Sequence, residues 1–229
     1  MIRIQFIFLG EGTSDSGLIP HLENLCVQLG ADEVTGAAVD FRRLSGNIAG
    51  TVEAKLKAAL KLEPNTNLIF VHRDSDSRDS MPRYEEIASA VAASAMPKAY
   101  VCVVPVQEME AWILLDEASI RNVAGRRSGK VPLNLPRPNQ VESIASPKER
   151  LMKALLDAAE LTGRRRARFQ AEFPTHRQLL LERLPTGGAL LQVPSWTRLN
   201  ADLAAAVKSI GLEEPSDSPL AADAAFSTE

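Results

Sequence analysis

The stretch Leu-Ile-Phe-Val-His-Arg-Asp-Ser-Asp, residues 68–76, decides how the rest of the sequence is interpreted. Its uninterrupted apolar run is typical of a strand covered on both faces, as occurs at the centre of a parallel sheet. Asp74 and Asp76 follow this run almost directly. In open parallel sheets, ligands bind beyond the carboxyl ends of the strands. The sequence therefore places two acidic residues where a binding site is expected.

Predicted strands and helices alternate on both sides of this segment. Residues 2–9, 34–44 and 100–106 are the other predicted strands, and helical patterns separate each strand from the next. This order predicts an α/β fold with a mostly parallel four-stranded sheet flanked by helices and a helical C-terminal extension. We expect an α/β domain over residues 1–125, a loop or linker over 126–147, the helical extension over 148–212 and a disordered acidic tail over 213–229.

Composition excludes several classes of protein. The chain has 229 residues, of which 24% are charged, and no apolar run approaches the length that a membrane-spanning helix needs. The amino terminus has no signal-peptide pattern. Cys26 and Cys102 lie in apolar stretches without metal-ligand spacing, so buried free thiols in a reducing cytoplasm are expected. We thus expect a cytoplasmic protein that does not contact membranes.

Acidic residues follow three of the four predicted strands. They are Glu11 and Asp15 after the first, Asp74 and Asp76 after the third, and Glu108 and Glu110 after the fourth. Each set has a simpler explanation, because Asp15 fits a helix cap, Asp and Ser are common in loops, and acids favour first helical turns. Their coincidence at one sheet edge favours a shared site. Clustered carboxylates repel one another unless a cation neutralises them, and such oxygen ligands select Mg²⁺ or Mn²⁺.

The ordered motifs resemble a known domain. Glu-Gly-Thr-Ser-Asp, residues 11–15, followed by Asp-Ser-Asp, residues 74–76, is similar to the Toprim domain of topoisomerases, primases and OLD-type nucleases. Residues 110–116, Glu-Ala-Trp-Ile-Leu-Leu-Asp, further resemble a family of stand-alone bacterial Toprim-like chains often encoded beside an ATPase. The resemblance covers about residues 1–116 and implies a possible ATPase partner chain.

The resemblance implies roles for individual residues. Glu11 would be the general acid or base, Asp15, Asp74, Asp76 and Glu110 would bind metal, and Gly12 would let the backbone approach phosphate. A third-strand lysine of the nuclease pattern has no clear counterpart here, although Lys98 and Lys130 are candidates.

A basic segment lies further along the chain. Residues 141–212 carry a net charge of +4, whereas residues 1–140 carry −2. Arg164, Arg165 and Arg166 form the core of this segment. They predict either a solvated helix face or a grip on the phosphates of nucleic acid, DNA rather than RNA.

Together these features predict a Mg²⁺- or Mn²⁺-dependent nuclease in anti-phage defence or DNA processing. One alternative is a degenerate Toprim fold that binds an ATPase or nucleic acid without cleaving it. Another is a metal-dependent phosphatase or phosphotransferase, although such enzymes usually place Asp-x-Asp after the first strand. The sequence is also compatible with a homo-oligomer.

Overall fold

The fold is described from a computed structural model, which covers residues 1–44, 48–94 and 98–213. Its centre is a sheet of four strands, β1 (Arg3–Leu9), β2 (Glu33–Ala38), β3 (Leu68–His72) and β4 (Ala99–Val103). The strand order is β2-β1-β3-β4, and every neighbouring pair is parallel. The predicted α/β class and four-stranded sheet are confirmed, and the sheet is entirely parallel.

Helices follow the strands along the chain. They are α1 (Ile19–Gln28), α2 (Val52–Leu62), α3 (Met81–Ala93), α4 (Glu110–Ile113), α5 (Glu117–Val123), α6 (Pro138–Val141), α7 (Pro147–Ala159), α8 (Gly163–Ala171), α9 (Phe173–Glu182) and α10 (Pro194–Glu213). Short 3₁₀ turns cover Thr13–Leu18, Phe41–Arg43 and Gly188–Gln192.

Both faces of the sheet are covered, because successive side chains of a strand point to opposite sides. Phe6 and Phe8 belong to a large core with α1 and the C-terminal helices, whereas Ile7 and Leu9 belong to a smaller core under α2 and α3. All five residues of β3 are buried, as its apolar run predicted. Gly36 on β2 leaves room for the Phe6 ring, since a Cβ there would lie 2.1 Å from it.

The C-terminal helices are part of the same core as the sheet. Leu155 of α7, Leu180 of α9 and Leu203 of α10 belong to the core that contains Phe6 and Phe8. The sequence suggested an α/β domain joined through a linker to a helical extension. The packing instead makes α7, α9 and α10 one wall of the α/β core.

Several predicted boundaries were wrong. The second strand was expected over residues 34–44 but ends at Ala38, because the Asp40 side chain accepts a hydrogen bond from the Arg42 amide and starts a 3₁₀ turn. Helix α6 lies inside a stretch expected to be loop, whereas α8 lies within the expected helical extension and buries no residue. The expected disordered tail, residues 213–229, lies outside the described residues except for residue 213.

Candidate functional site

Three segments that follow β1, β3 and β4 meet at the carboxyl edge of the sheet. The segment after β3 runs beside the one after β4, and backbone hydrogen bonds join Arg73 N to Val103 O, Ser75 N to Pro105 O and Asp76 N to Gln107 O. This pairing brings the acids after β3 next to those after β4, as the sequence predicted. We call Glu11, Asp15, Asp74 and Glu110 the acidic cluster.

Asp15 organises the turn that follows β1. Its Oδ2 atom accepts hydrogen bonds from the amides of Glu11 (3.0 Å) and Gly12 (2.8 Å). Its Oδ1 atom accepts one from Arg177 Nη1 at 3.0 Å, and the residue is only 4% exposed. Both carboxylate oxygens therefore have partners within the protein. Asp15 acts here as a turn cap, which was the alternative to its predicted role as a metal ligand.

Arg177, on α9, supplies a positive charge inside the acidic cluster. Its Nε atom donates to Glu110 Oε1 at 2.8 Å, and its Nη1 atom donates to Asp15 and to Ser14 Oγ at 2.7 Å. Arg177 and Glu110 are 8% and 3% exposed. A buried guanidinium therefore joins the acid after β1 to the acid after β4.

Sequence reasoning missed Arg177 as a site residue, since it was counted with the basic segment. A signal was available in the spacing of α9. Arg177 is in helical phase with Phe173, Leu180, Leu181 and Leu184, all of which are buried. An arginine in the middle of an apolar stripe indicates a buried ion pair.

Asp74 faces the acidic cluster from the end of β3. Its Oδ1 atom accepts a hydrogen bond from the Met109 amide at 3.0 Å. Burial, together with repulsion from Glu110 and Glu11, raises the pKa of Asp74 to about 8. A carboxyl group that holds its proton near neutral pH indicates local negative charge that Arg177 does not fully offset.

His72 lies beneath the acidic cluster as a neutral ring. Burial lowers its pKa to about 4. Its ring nitrogens lie 3.8 Å from Asp15 Oδ2 and 3.4 Å from Asp74 Oδ1, and neither forms a hydrogen bond with the described part of the chain. A neutral imidazole adds no positive charge to the acidic cluster.

Glu11 is the member of the acidic cluster that borders open space. It lies 3.0 Å from Arg73 Nη1, yet burial raises the pKa of Glu11 despite this cation. With Gly12 it lines a cavity of about 470 Å³ between the ends of β1 and β2. Lys55 of α2 and Arg42 line the same cavity. The sequence had not indicated either cation.

The remaining predicted metal ligand, Asp76, is paired with Arg83, although its charge helps to raise the pKa of Glu11. Its backbone has a φ of 53°, and its side chain is 64% exposed and pairs with Arg83 Nη2 at 2.7 Å. Glu108, the other acid after β4, accepts a hydrogen bond from the Lys148 amide at the start of α7. Of the two acids after β3, Asp74 belongs to the acidic cluster and Asp76 pairs with Arg83. Of the two acids after β4, Glu110 belongs to the acidic cluster and Glu108 binds the start of α7.

Gly12 does not need to be glycine for its backbone conformation. Its φ of −127° is open to any residue, and a Cβ there would meet only Asp15 Oδ2 at 3.8 Å. Its amide is already bound to Asp15. Gly12 therefore borders the cavity with its amide hydrogen bond already formed.

The predicted basic residues lie apart from the acidic cluster. Arg164 and Arg165 are exposed on α8, and Arg166 donates to Leu156 O. Lys98 donates to Pro64 O near the amino end of β4, and Lys130 lines a separate cavity. Neither candidate lysine lines the cavity beside Glu11, where Lys55 does.

The carboxylates differ in how well they fit a divalent cation. Across residues 1–44, 48–94 and 98–213, no group of three or more His, Cys, Asp or Glu side chains is arranged to hold a metal ion. Mg²⁺, however, commonly takes only one or two carboxylates together with water and substrate phosphate. Asp15 and Glu110 are engaged by Arg177, whereas Glu11 and Asp74 have no ion pair with it.

Replacing Arg177 tests its role as the buried counter-ion. Arg177→Met should lower the free energy of unfolding by about 3–5 kcal/mol, because it leaves Asp15 and Glu110 buried without a cation. Arg183→Met, which removes an exposed arginine at the end of the same helix, is the matched control. Urea denaturation of both variants makes the comparison, and equal losses would contradict the assignment.

A second prediction concerns the pH dependence of stability. Because folding raises the pKa of Asp74 from its ordinary 3.8 to about 8, its ionisation destabilises the fold increasingly as pH rises between these values. Asp74→Asn should remove this penalty and keep the hydrogen bond from the Met109 amide. Its gain in Tm over wild type should therefore grow from pH 5 to pH 8, to on the order of 5 °C.

Asp76→Asn is the control for this measurement, since Asp76 is exposed. Thermal denaturation at several pH values compares both variants with wild type. A gain for Asp74→Asn that is independent of pH would show that this carboxyl group is not held protonated by its surroundings.

Comparison with known proteins places the chain in a family. The family described as Domain of unknown function (DUF4276) matches residues 11–185, about three quarters of the chain, from Glu11 past Arg177. Searches among curated proteins and among solved structures gave no match. Within the described ranges, each helix is too short or too polar to cross a membrane. The chain belongs to the DUF4276 family.

Proposed function

We propose that this protein is a Mg²⁺- or Mn²⁺-dependent phosphodiester hydrolase that acts on nucleic acid, as its Toprim-like motifs imply. One observation carries the proposal: Glu11 and Asp74 converge at the carboxyl edge of a parallel sheet, and Glu11 lines a cavity together with Lys55 and Arg42. A phosphodiester substrate requires this combination. Carboxylates serve the cation and the proton transfer, and basic side chains serve the phosphate oxygens.

The residues of the site have separate tasks in this proposal. When bound, a divalent ion would polarise the phosphate and ease the formation of hydroxide from water. Glu11 and Asp74 would hold it. Lys55 would orient the phosphate from the wall of the cavity, where Arg42 is paired with Asp40.

Glu11 is placed to move a proton. Water attacks phosphorus, the bond from phosphorus to the leaving oxygen breaks, and the Glu11 carboxylate accepts the proton that water loses. Burial raises the pKa of Glu11, which makes its ionised form a stronger base than a solvated glutamate. Arg73, at 3.0 Å, keeps this carboxylate oriented.

Asp15 and Glu110 support the site through Arg177. Through their ion pairs with Arg177, the turn that carries Glu11 is joined to α4 and α9. Glu11 is therefore held in place by these helices. We assign Asp15 and Glu110 to positioning. In the resemblance they are metal ligands, and Asp76 is a further one that would have to leave its pair with Arg83.

A second candidate function is favoured by a specific observation. Arg177 neutralises two of the four acids, and the described residues hold no three-ligand metal group. This arrangement suits a module that keeps the Toprim-like fold but binds nucleic acid or an ATPase partner without cleavage. The two candidates differ in whether nucleic acid is cleaved when Mg²⁺ or Mn²⁺ is added. A cytoplasmic location and self-association remain parts of the proposal.

A cleavage assay tests the proposal. Wild type should cleave plasmid DNA with Mg²⁺ or Mn²⁺, and EDTA should abolish cleavage. Glu11→Gln should lower turnover by about 10²-fold or more with nearly unchanged DNA affinity, because it removes the proton acceptor. Glu53→Gln, at a half-buried glutamate of α2 outside the acidic cluster, is the matched control.

The assay is run with and without the ATPase partner chain that the resemblance implies. DNA binding without cleavage under all these conditions would favour the interaction module. Equal turnover of Glu11→Gln and Glu53→Gln would show that Glu11 does not transfer the proton.

A further inference from the structure

A second cavity, of about 670 Å³, lies beside the loop that follows α5. The loop sequence is Gly-Arg-Arg-Ser-Gly-Lys, residues 125–130. Arg126, Arg127 and Lys130 line the cavity, and Glu160 is the acid among the lining residues. The lining thus carries a net charge of about +2, in a part of the fold separate from the acidic cluster.

The loop is held in shape by hydrogen bonds that leave its cations available. Gly129 N donates to Arg126 O at 2.9 Å, and Arg127 Nε donates to Asn122 Oδ1 at 2.7 Å. Arg126, Arg127 and Lys130 are all exposed. Arg126 forms a long ion pair with Glu160, because its Nη1 atom lies 4.0 Å from Glu160 Oε2.

A buried arginine lies beneath the same loop. Arg121 is 9% exposed, and its Nε and Nη2 atoms are bound to Glu117 and to Val131 O. Its Nη1 atom has no hydrogen-bond partner within the described residues. A Cβ on Gly129 would lie 3.0 Å from this atom, so the absence of a side chain there keeps a donor close to the cavity.

Helix α8, which follows Glu160, carries a further exposed cation. Arg164 is exposed and follows Glu160 by four residues, so the two Cα atoms lie at most about 14 Å apart. Duplex DNA carries one phosphate charge per about 1.7 Å of its axis, so a surface of this extent meets several phosphates. The three cations that line the cavity match a polyanion better than a single small acid.

We propose that the cavity formed by residues 125–130 binds a backbone phosphate of nucleic acid, with Arg126, Arg127 and Lys130 as its cations. The choice of nucleic acid as the ligand rests on the proposed function, since nucleic acid is the polymer on which the acidic cluster would act. Arginine pairs with phosphate oxygens through two parallel hydrogen bonds, which suits the exposed guanidinium groups of this loop. The negative charge of Glu160 lowers the affinity of the cavity for phosphate, and its ion pair keeps Arg126 oriented.

Binding of a fluorescent DNA duplex tests the site, measured by anisotropy in EDTA over a range of salt concentrations. The double variant Arg126→Gln, Lys130→Gln should bind DNA with a weaker salt dependence. Its plot of log affinity against log salt should be less steep by about 0.9 for each phosphate that the variant no longer neutralises. Lowering the salt concentration from 1 M to 0.1 M should therefore strengthen DNA binding by the variant about eight-fold less than binding by wild type, for each phosphate contact that is lost. Glu160→Gln should strengthen binding, because it removes the acid from the cavity.

The matched control is Lys61→Gln with Lys208→Gln, which removes two exposed lysines of α2 and α10. If both double variants change affinity and slope equally, the proposal is wrong. Inorganic pyrophosphate is a second probe: stabilisation that depends on Arg126 and Lys130, with unchanged DNA affinity, would overturn the assignment to nucleic acid.

These outcomes are separate from those of the cleavage assay, because binding in EDTA requires no catalysis. Cavity-dependent binding by a protein that never cleaves DNA would contradict only the proposed hydrolase. Cleavage by a protein whose binding ignores the cavity would contradict only this inference.

Discussion

The acidic cluster depends on one buried cation, Arg177, which forms ion pairs with both Asp15 and Glu110. Four carboxyl groups at one sheet edge would repel one another strongly in a poorly solvated environment. A guanidinium with several donors in one plane can hold two of them at once. Because Arg177 belongs to α9, the C-terminal helices are required to complete the site that the sheet begins. This requirement agrees with their place in the same core as Phe6 and Phe8.

The ion pairs divide the acidic cluster into two sets with different environments. Asp15 and Glu110 are buried and bound to Arg177, and Asp15 also caps the turn after β1. Glu11 and Asp74 are less constrained, and Glu11 borders the cavity that contains Lys55. The buried ion pair of Asp15 therefore holds the short turn that carries Glu11.

The sequence predicted the sheet and the position of the acids at its carboxyl edge well, because both follow from local patterns. The apolar run of β3 identified the central strand, and the rule for parallel sheets placed the acids at its carboxyl edge. The orientation of each acid could not be predicted, since it depends on the backbone of single residues. Asp76, at a φ of 53°, pairs with Arg83, and Glu108 caps α7, forty residues further along the chain. The spacing of α9 indicates that Arg177 is buried, but its partners could not be predicted, because they lie 67 and 162 residues away.

In the proposed function, Glu11 and Asp74 hold the divalent ion while Arg177 stays paired with Asp15 and Glu110. Anomalous diffraction at the manganese edge, from crystals grown with Mn²⁺ and an uncleavable oligonucleotide, tests it most directly. The account predicts a peak about 2.1 Å from carboxylate oxygens of both Glu11 and Asp74. The ion pairs of Arg177 should remain intact in those crystals. A peak on Asp15 and Glu110 with Arg177 displaced, or no peak at this edge of the sheet, would contradict the account.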